Sequence, residues 1–199
     1  MLVTTEAIVL SLQPYSDKAH ILHAYTRANG RVNYMVYGIG RKNPRGLYTP
    51  FSLIQITADH SSLQGNAGGK LPSLKEATTL HPAPYSLHQQ TMALFICEVL
   101  SITLRHPMQD EPLFDFLKTS VMALEAEEEL PNFHLSFLIG LAAKLGFAID
   151  NDEHPELFAT PSTRAERQER LHQLCAYYAE HIDTWQHPKS LDVLIEVFD

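Results

Sequence analysis

The chain has few of the residues that carry metal-binding and redox chemistry. It has two cysteines, Cys97 and Cys175, which are far apart and lie within apolar, helix-like segments. No CxxC, HxxxH or HExxH pattern occurs. His20 and His23 are as consistent with ordinary side chains on a strand as with metal ligands. We therefore expect two free thiols in a reducing compartment, no metal site and no cofactor.

Catalytic signatures and long hydrophobic runs are also missing. Gly38-Ile39-Gly40 is not followed by the Gly-Lys-Ser/Thr of a phosphate-binding loop, and no nucleophile motif is present. The apolar stretch 92–104 contains Glu98 and is followed by Arg105, which makes it too short and too charged to cross a bilayer. The N-terminus has no basic segment followed by an apolar core. We expect no signal peptide, a cytoplasmic location and no enzymatic activity.

Acidic residues are absent from positions 18–58, although the whole chain has a net charge of −8. The cations of this basic segment are Lys18, Arg27, Arg31, Arg41, Lys42 and Arg45, and its tyrosines are Tyr25, Tyr34, Tyr37 and Tyr48. Cations with interleaved aromatic residues are typical of proteins that bind nucleic acid, single strands in particular. The cations neutralise phosphates and the rings stack on bases. A chance fluctuation of charge is the alternative.

The two halves of the chain differ in charge. Residues 1–80 hold eight Lys/Arg and four Asp/Glu, a net of +4, whereas residues 81–199 hold seven Lys/Arg and 19 Asp/Glu, a net of −12. Two prolines at 81–84 interrupt regular structure at the same place. We predict a nucleic-acid-binding domain over 1–80 and a helical, partner-docking domain over 81–199.

The N-terminal half has the pattern of short antiparallel strands. Strands are predicted at 4–13, 20–26, 31–37 and 51–57, and the ambiguous stretch 71–80 would complete five. Pro14 is predicted to end the first strand, and Asn29-Gly30 indicates a tight hairpin between the second and third. This periodicity by itself supports a small antiparallel β domain.

The phase of the third strand separates its two tyrosines. Tyr34 alternates with the apolar Val32 and Val36, which predicts a place in the core. Tyr37 is in the opposite phase and is the better candidate for stacking on a base.

Four motifs occur in a fixed order over about 45 residues. They are Tyr15-Ser16-Asp17, Thr26-Arg27-x-x-Gly30-Arg31, Gly38-x-Gly40-Arg41-Lys42-x-x-Arg45-Gly46 and Pro50-Phe51-Ser52-Leu53-Ile54. Each motif is weak, but the series resembles the N-terminal domain of the RecO family of recombination and repair mediators. The resemblance implies an α+β chain in which an N-terminal OB-fold β-barrel is followed by an all-α helical domain.

The resemblance also implies a function. Members of the family bind single- and double-stranded DNA, anneal complementary strands and assist RecA loading together with RecR. They contact the acidic tail of single-strand binding protein through the helical domain. Our candidate DNA-binding residues are Lys18, Arg27, Arg31, Tyr37, Arg41, Lys42 and Arg45. A non-catalytic adaptor that uses an OB-like barrel for protein contacts is the alternative.

This sequence departs from the family in two respects. Many relatives carry a four-cysteine zinc site in the C-terminal half, which the absence of any CxxC pair excludes here. Relatives usually have some tens of residues more between the helix that ends near Gly146 and the stretch 157–167.

The C-terminal half is predicted to be helical. Helices are expected over 87–105, from 110, from 131, from 163 and over 191–198, with a helix C-cap at Gly146. Their N-terminal signals are the capping boxes Ser86-x-x-Gln89 and Thr163-x-x-Glu166, the caps Asp110 and Ser190, and Pro131. The acidic run 125–129 is interpreted as a solvated helix end, with a partner site as the alternative.

Three arginines begin the long helix that starts at residue 163. Arg164, Arg167 and Arg170 are spaced by three residues, which predicts that they share a face. We interpret them as a possible contact for an acidic partner tail. A solvated surface, balanced by Glu166 and Glu169, is the alternative.

Overall fold

The computed structural model describes residues 1–40, 44–62, 70–82, 86–126 and 131–198. Its strands are β1 (Leu2–Ser16), β2 (Ala19–Thr26), β3 (Gly30–Tyr37), β4 (Leu53–Asp59) and β5 (Ser73–His81). They close into a barrel in the order β1-β2-β3-β5-β4, in which β1 also pairs with β4 and only β3 and β5 are parallel. A closed five-stranded barrel confirms the predicted OB-fold.

The barrel is filled by inward-facing residues that alternate along the strands. This inner core comprises Ala7, Val9, Leu22, Ala24, Val32, Tyr34, Val36, Tyr48, Ile54, Ile56, Ala58 and Leu74. The hydroxyl of the fully buried Tyr34 shares a hydrogen bond of 3.1 Å with His60 Nε2. Tyr37, in the opposite phase, is 55% exposed. The predicted orientations of the two tyrosines are therefore confirmed.

Strand β1 continues beyond Pro14, so the prediction that this proline ends the strand was wrong. The pairing of β1 with β2 shifts register between Val9 and Ser11 and again between Pro14 and Ser16. The second shift leaves Tyr15 outside the ladder, whereas Pro14 is still paired with His20. Proline is tolerated next to such a bulge, where the regular pattern of hydrogen bonds is interrupted. The strand therefore bends past the proline instead of stopping.

Strand β4 begins at Leu53, two residues later than predicted. Phe51 has a φ of 64° and lies outside the strand, with its N–H donated to the Val9 carbonyl at 2.8 Å. Left-handed backbone is costly for an aromatic residue. The compensation is burial: the Phe51 ring is fully buried and meets Phe137 edge-on, at a centroid distance of 6.2 Å.

The helices are α1 (Leu87–Thr103), α2 (Glu111–Ala126), α3 (Phe133–Lys144), α4 (Pro155–Phe158), α5 (Arg164–His181) and α6 (Ser190–Val197). Of these, the sequence did not predict the four-residue α4. Both capping boxes are confirmed: Ser86 Oγ accepts from Gln89 N at 3.1 Å and Thr163 Oγ1 accepts from Glu166 N at 3.2 Å. Asp110 caps α2 as predicted, since its Oδ1 accepts from Leu113 N at 2.8 Å.

The start of α6 is capped in a different way from the prediction. The side chain of Ser190 does not cap it; the Glu98 carboxylate on α1 does. Glu98 accepts from Lys189 N at 2.9 Å, from Ser190 N at 2.8 Å and from Ser190 Oγ at 2.6 Å. The cap is therefore a tertiary contact, and α6 packs along α1.

A second core joins the barrel to the helices. Its barrel members are Ile8, Leu10, Tyr25, Phe51 and Leu53, and α1 provides its centre with Met92, Phe95, Ile96, Val99 and Leu100. Ala7 and Val9 belong to the core inside the barrel, whereas Ile8 and Leu10, which alternate with them, belong to the core shared with the helices. Both faces of β1 are therefore buried at this point, which explains the unbroken apolar run at 7–10. Within the described ranges, no helix is both long and apolar enough to pass through a membrane.

Candidate nucleic-acid interface

The β2–β3 hairpin separates the candidate DNA-binding residues into two groups. Its register pairs Ala19 with Tyr37 at one end and Thr26 with Gly30 at the other. An eight-residue strand is about 25 Å long. The end with Tyr37 is here called the open end, and the end with the Asn29-Gly30 turn is called the turn end.

The open end presents aromatic and basic side chains to solvent. Tyr37 ends β3, and Lys18 lies in the exposed connection between β1 and β2. Tyr15, which is 66% exposed, precedes this connection. Arg45 is exposed in the β3–β4 connection, whereas Arg41 and Lys42 lie outside the described residues. Of the candidates, Lys18 and Tyr37 are thus placed at the same end of the barrel.

Arg27, at the turn end, is held by contacts within the protein. Its Nε donates to Glu6 Oε2 at 2.8 Å, and its Nη2 donates to Asp115 Oδ1 at 2.6 Å on α2. The guanidinium also lies 4.5 Å from the centroid of the Phe114 ring. The carboxylate of Asp115, followed by that of Glu6, raises the pKa of Arg27. Arg27 therefore ties the barrel to α2.

Arg31 fastens the turn end to the last turn of α1. Its Nη1 donates to the carbonyl oxygens of Ser101, at 2.6 Å, and Leu104, at 2.8 Å. Burial, together with the nearby charge of Arg105, lowers the pKa of Arg31. The hairpin turn comes so close to the α1–α2 connection that a Cβ on Gly30 would lie 2.1 Å from the Met108 carbonyl oxygen.

The basic segment therefore contains two groups of residues with different surroundings. The Thr26-Arg27-x-x-Gly30-Arg31 motif makes contacts between the barrel and the helices. At the open end, by contrast, Tyr15, Lys18 and Tyr37 are exposed to solvent. We accordingly centre the candidate interface on the open end and on the outer face of β2 and β3.

The outer face of β2 and β3 connects the two ends. Residues paired across these antiparallel strands share a face, so His23 lies beside Asn33 and Ile21 beside Met35. His23 Nδ1 and Asn33 Oδ1 are 2.8 Å apart. Burial lowers the pKa of His23, so this ring is neutral at pH 7. This face therefore carries the polar pair His23 and Asn33 and the apolar pair Ile21 and Met35, and none of these four side chains is a carboxylate.

The helical half has a small pocket with a basic rim. Arg164, Arg167, His134 and Leu171 line it, together with Leu194, Ile195 and Phe198 of the C-terminal segment. It encloses about 20 Å³. His134 is almost fully buried, and its Nδ1 has no hydrogen-bond partner in the described part of the chain. Burial, together with the nearby Arg167, lowers the pKa of His134 to about 3, so the ring is neutral.

Arg170 does not join this pocket, so the predicted common face of three arginines was wrong. Its Nη1 donates to the Ala159 carbonyl oxygen at 2.7 Å, just after α4. A spacing of six residues turns a helix by about 600°, which leaves Arg170 well displaced from Arg164. The acceptor lies at the C-terminal end of α4, a helix that the sequence did not predict.

The chemistry that the cysteines can provide is limited by their burial. Cys97 and Cys175 are both free and buried. Burial raises the pKa of the Cys97 thiol far above its ordinary value and that of Cys175 to about 12. Neither thiol is a thiolate at neutral pH, and only thiolates act as nucleophiles or ligands. Among the residues that the structure describes, no three His, Cys, Asp or Glu side chains come together as a metal site.

Sequence reasoning missed two cations that share a groove with Arg31. Lys70, just before β5, and Arg105, just after α1, line the same groove as Arg31. Lys70 could have been found, because the loop between strands four and five is a usual ligand-binding element of OB-folds. Arg105 could not have been found from the sequence, because only the packing of α1 against the barrel places it near Arg31 of β3.

The fold and the interface define a class: an OB-fold barrel with an exposed aromatic and basic end, joined through a shared core to a helical body. Comparison with known proteins gives the family. The model described as "Recombination protein O N terminal" matches residues 1–83, and "Recombination protein O C terminal" matches 84–160. The chain belongs to the RecO family.

Curated relatives are similar over most or all of this chain. "DNA repair protein RecO" of Christiangramia forsetii is 28% identical and that of Flavobacterium psychrophilum 29% identical, each over 100% of both chains. The protein of the same name from Phocaeicola vulgatus is 32% identical over 78% of this chain and 66% of its own. The alignment with the first extends over 246 positions, against 199 residues here, so that relative has positions that this chain lacks.

Proposed function

We propose that this protein is a non-enzymatic DNA-binding mediator of recombinational repair in the bacterial cytoplasm, associated with the nucleoid. The observation that carries the proposal is the open end of the barrel, where Lys18 and the exposed Tyr37 lie together in a chain of the RecO family. OB-folds bind oligonucleotides on strands two and three and on the loop between strands one and two, which is where these two residues lie.

Binding at this end does not depend on base sequence. The cations neutralise phosphates, and the tyrosine stacks on any base, because every base has a π face. Such a surface suits a protein that holds single- and double-stranded DNA and anneals complementary strands. We further propose that it assists the loading of RecA together with RecR. Family membership supports this part of the proposal.

Fluorescence anisotropy of a labelled single strand across a salt series tests DNA binding. We expect the logarithm of the association constant to fall linearly with the logarithm of the salt concentration, by about 0.7 for each phosphate neutralised. Lys18→Gln should reduce that slope by about 0.7, and the triple variant of Arg41, Lys42 and Arg45 to Gln by more. Tyr37→Ala should cost about 1–3 kcal/mol with little change in slope.

Lys144→Gln is the matched control, since Lys144 is an exposed cation at the end of α3. It removes the same charge and should leave the slope unchanged. The proposal would be contradicted if wild-type protein failed to bind at low salt, or if the triple variant bound like wild type. The first outcome would favour the adaptor alternative.

The basic-rimmed pocket is our proposed contact for the acidic tail of single-strand binding protein. Arg164 and Arg167 can attract carboxylates, and the apolar residues around the pocket offer a surface for contact with a hydrophobic side chain. The buried His134 Nδ1 has no hydrogen-bond partner in the described part of the chain. Isothermal titration with a synthetic tail peptide tests this contact. Arg167→Gln should weaken binding severalfold, whereas Lys144→Gln should not. Equal affinities for both variants would rule out the pocket.

A further inference from the structure

A groove of about 700 Å³ lies where the barrel meets the helices. The turn end and the outer face of β3 form one wall with Asn29, Arg31 and Asn33. The segment before β5 adds Lys70, and the α1–α2 connection adds Arg105 and Gln109. We call this feature the junction groove. It brings together three segments that are far apart in the sequence.

The junction groove is positive. Its lining includes three cations and no aspartate or glutamate. Across the described ranges, none of the three cations forms an ion pair. Asp110, the acid nearest in sequence to Arg105, is engaged as the cap of α2. Burial and, after it, the nearby positive charge of Arg105 lower the pKa of Arg31.

The two arginines are held in place by backbone carbonyls. Arg31 Nη1 donates to Ser101 and Leu104, and Arg105 donates from Nε to the Ile102 oxygen at 3.1 Å and from Nη2 to the Thr184 oxygen at 3.0 Å. A guanidinium has five N–H donors, so these bonds leave others for a ligand. Like charges fixed side by side favour an anion between them, because it relieves their repulsion.

The junction groove is continuous with the outer face of β3. Alternate residues of a strand share a face, so Arg31, Asn33, Met35 and Tyr37 lie in one row about 20 Å long. The segment that carries Lys70 is fixed beside this row, since Met35 N donates to the Pro72 carbonyl oxygen at 2.8 Å. An extended polymer that reaches Tyr37 and follows β3 therefore arrives at Arg31, Lys70 and Arg105.

We propose that the junction groove binds backbone phosphates of the single strand whose bases stack at the open end, with Arg105 of the helical half as one of the phosphate ligands. This inference rests on the proposed function. The site is then composite: the barrel provides the stacking surface, and the packing of α1 against it provides a cation from outside the barrel. A nucleic acid is favoured over an acidic peptide because the groove continues a row that ends in an exposed tyrosine.

The test uses the full chain and a labelled oligothymidylate of about 16 nucleotides, near the upper site size for one OB-fold. Lys70→Gln and Arg105→Gln should each reduce the salt slope by about 0.7, and the double variant by about 1.4. A slope change of 0.7 corresponds to about fivefold weaker binding at 0.1 M salt. Lys144→Gln should change neither quantity. Arg105→Lys retains the charge and should restore the slope.

Arg105 also bonds to two carbonyl oxygens, so urea unfolding should accompany each variant. Lys70 is exposed and keeps the inference testable if Arg105→Gln proves unstable. The inference fails if the double variant keeps the wild-type slope while Lys18→Gln lowers it; the proposed function would then stand. It also fails if the double variant loses affinity for a polyglutamate peptide but not for the oligonucleotide. Absence of wild-type binding would overturn both proposals.

Discussion

Gly30 meets two constraints at once. Its φ of +62° lies in the left-handed region, and a side chain there would collide with the backbone of Met108. The first constraint is typical of a hairpin turn and could be expected from Asn29-Gly30. The second arises only because the α1–α2 connection lies against the turn. A single glycine thus serves both the hairpin and the contact between barrel and helices.

Gly30→Ala should destabilise the protein much more than Gly38→Ala. Gly38 has a similar φ of +70°, but nothing lies within 4 Å of a Cβ built there. Gly38→Ala should therefore cost only the backbone term, about 1–2 kcal/mol. Gly30→Ala adds a clash with a backbone oxygen that cannot move alone. Urea unfolding followed by circular dichroism measures both, and equal losses would show that the Met108 contact does not matter.

At the scale of elements, α6 depends on a residue 91 positions before Lys189. Burial raises the pKa of Glu98, but the hydrogen bonds from Ser190 and Lys189 outweigh it and hold that pKa below its ordinary value. The carboxylate is therefore ionised at neutral pH and faces the positive end of the α6 dipole. The short α6 needs this contact, because isolated helices of its length are not stable in water.

Glu98→Gln should loosen α6. The amide replaces one acceptor oxygen by a donor that faces the N–H groups of Lys189 and Ser190, and we expect a loss of about 1–3 kcal/mol. Hydrogen exchange of α6 amides should accelerate, while exchange in β2 and β3 stays slow. Glu180→Gln, at an exposed position of α5, is the matched control. Unchanged exchange in α6 would contradict this role of Glu98.

For the whole molecule, cations of the same short segment have different tasks. Arg27 belongs to an ion network at the barrel–helix contact, in which Glu6 also accepts from Lys118 Nζ at 2.6 Å. Lys18 is exposed at the open end. Both were candidates for DNA contact on composition. Their surroundings separate a stabilising role from a binding role.

Arg27→Gln should lower stability and leave single-strand affinity nearly unchanged, whereas Lys18→Gln should do the reverse. Losing the charged bonds to Glu6 and Asp115 should cost about 1–2 kcal/mol. An exposed substitution such as Lys18→Gln should stay within about 0.5 kcal/mol. Urea unfolding and the anisotropy salt series, run on the same preparations, measure both effects. A loss of DNA affinity by folded Arg27→Gln protein would contradict this division.

Much of the fold could be predicted because its signals are local. Hairpin turns, capping boxes and alternating strands act over two to four residues. The errors fell where local signals compete with packing. A bulge carries β1 past Pro14, burial against Phe137 holds Phe51 in left-handed backbone, and Glu98 replaces Ser190 as the cap of α6.

The candidate site was predicted only in part for the same reason. Composition identified the basic segment, but composition cannot tell a cation that faces solvent from one that faces a carbonyl. Arg31 looks like Lys18 in the sequence, yet it bonds to Ser101 and Leu104. Arg105 was not among the predicted DNA-binding residues, because nothing near it in the sequence indicates a neighbour on β3.

The sequence by itself determined a small antiparallel β domain, a helical half and the charge asymmetry between these two halves. Its series of motifs indicated the family, and the OB-fold was implied by that resemblance. Each of these features can be predicted from local residue patterns, without information on contacts between distant parts of the chain. Tertiary structure alone decided which cations make contacts within the protein, which reach solvent, and that Lys70 and Arg105 line one groove with Arg31. The physical reason is that electrostatic roles depend on distance in space, and folding brings together charges that the chain keeps far apart.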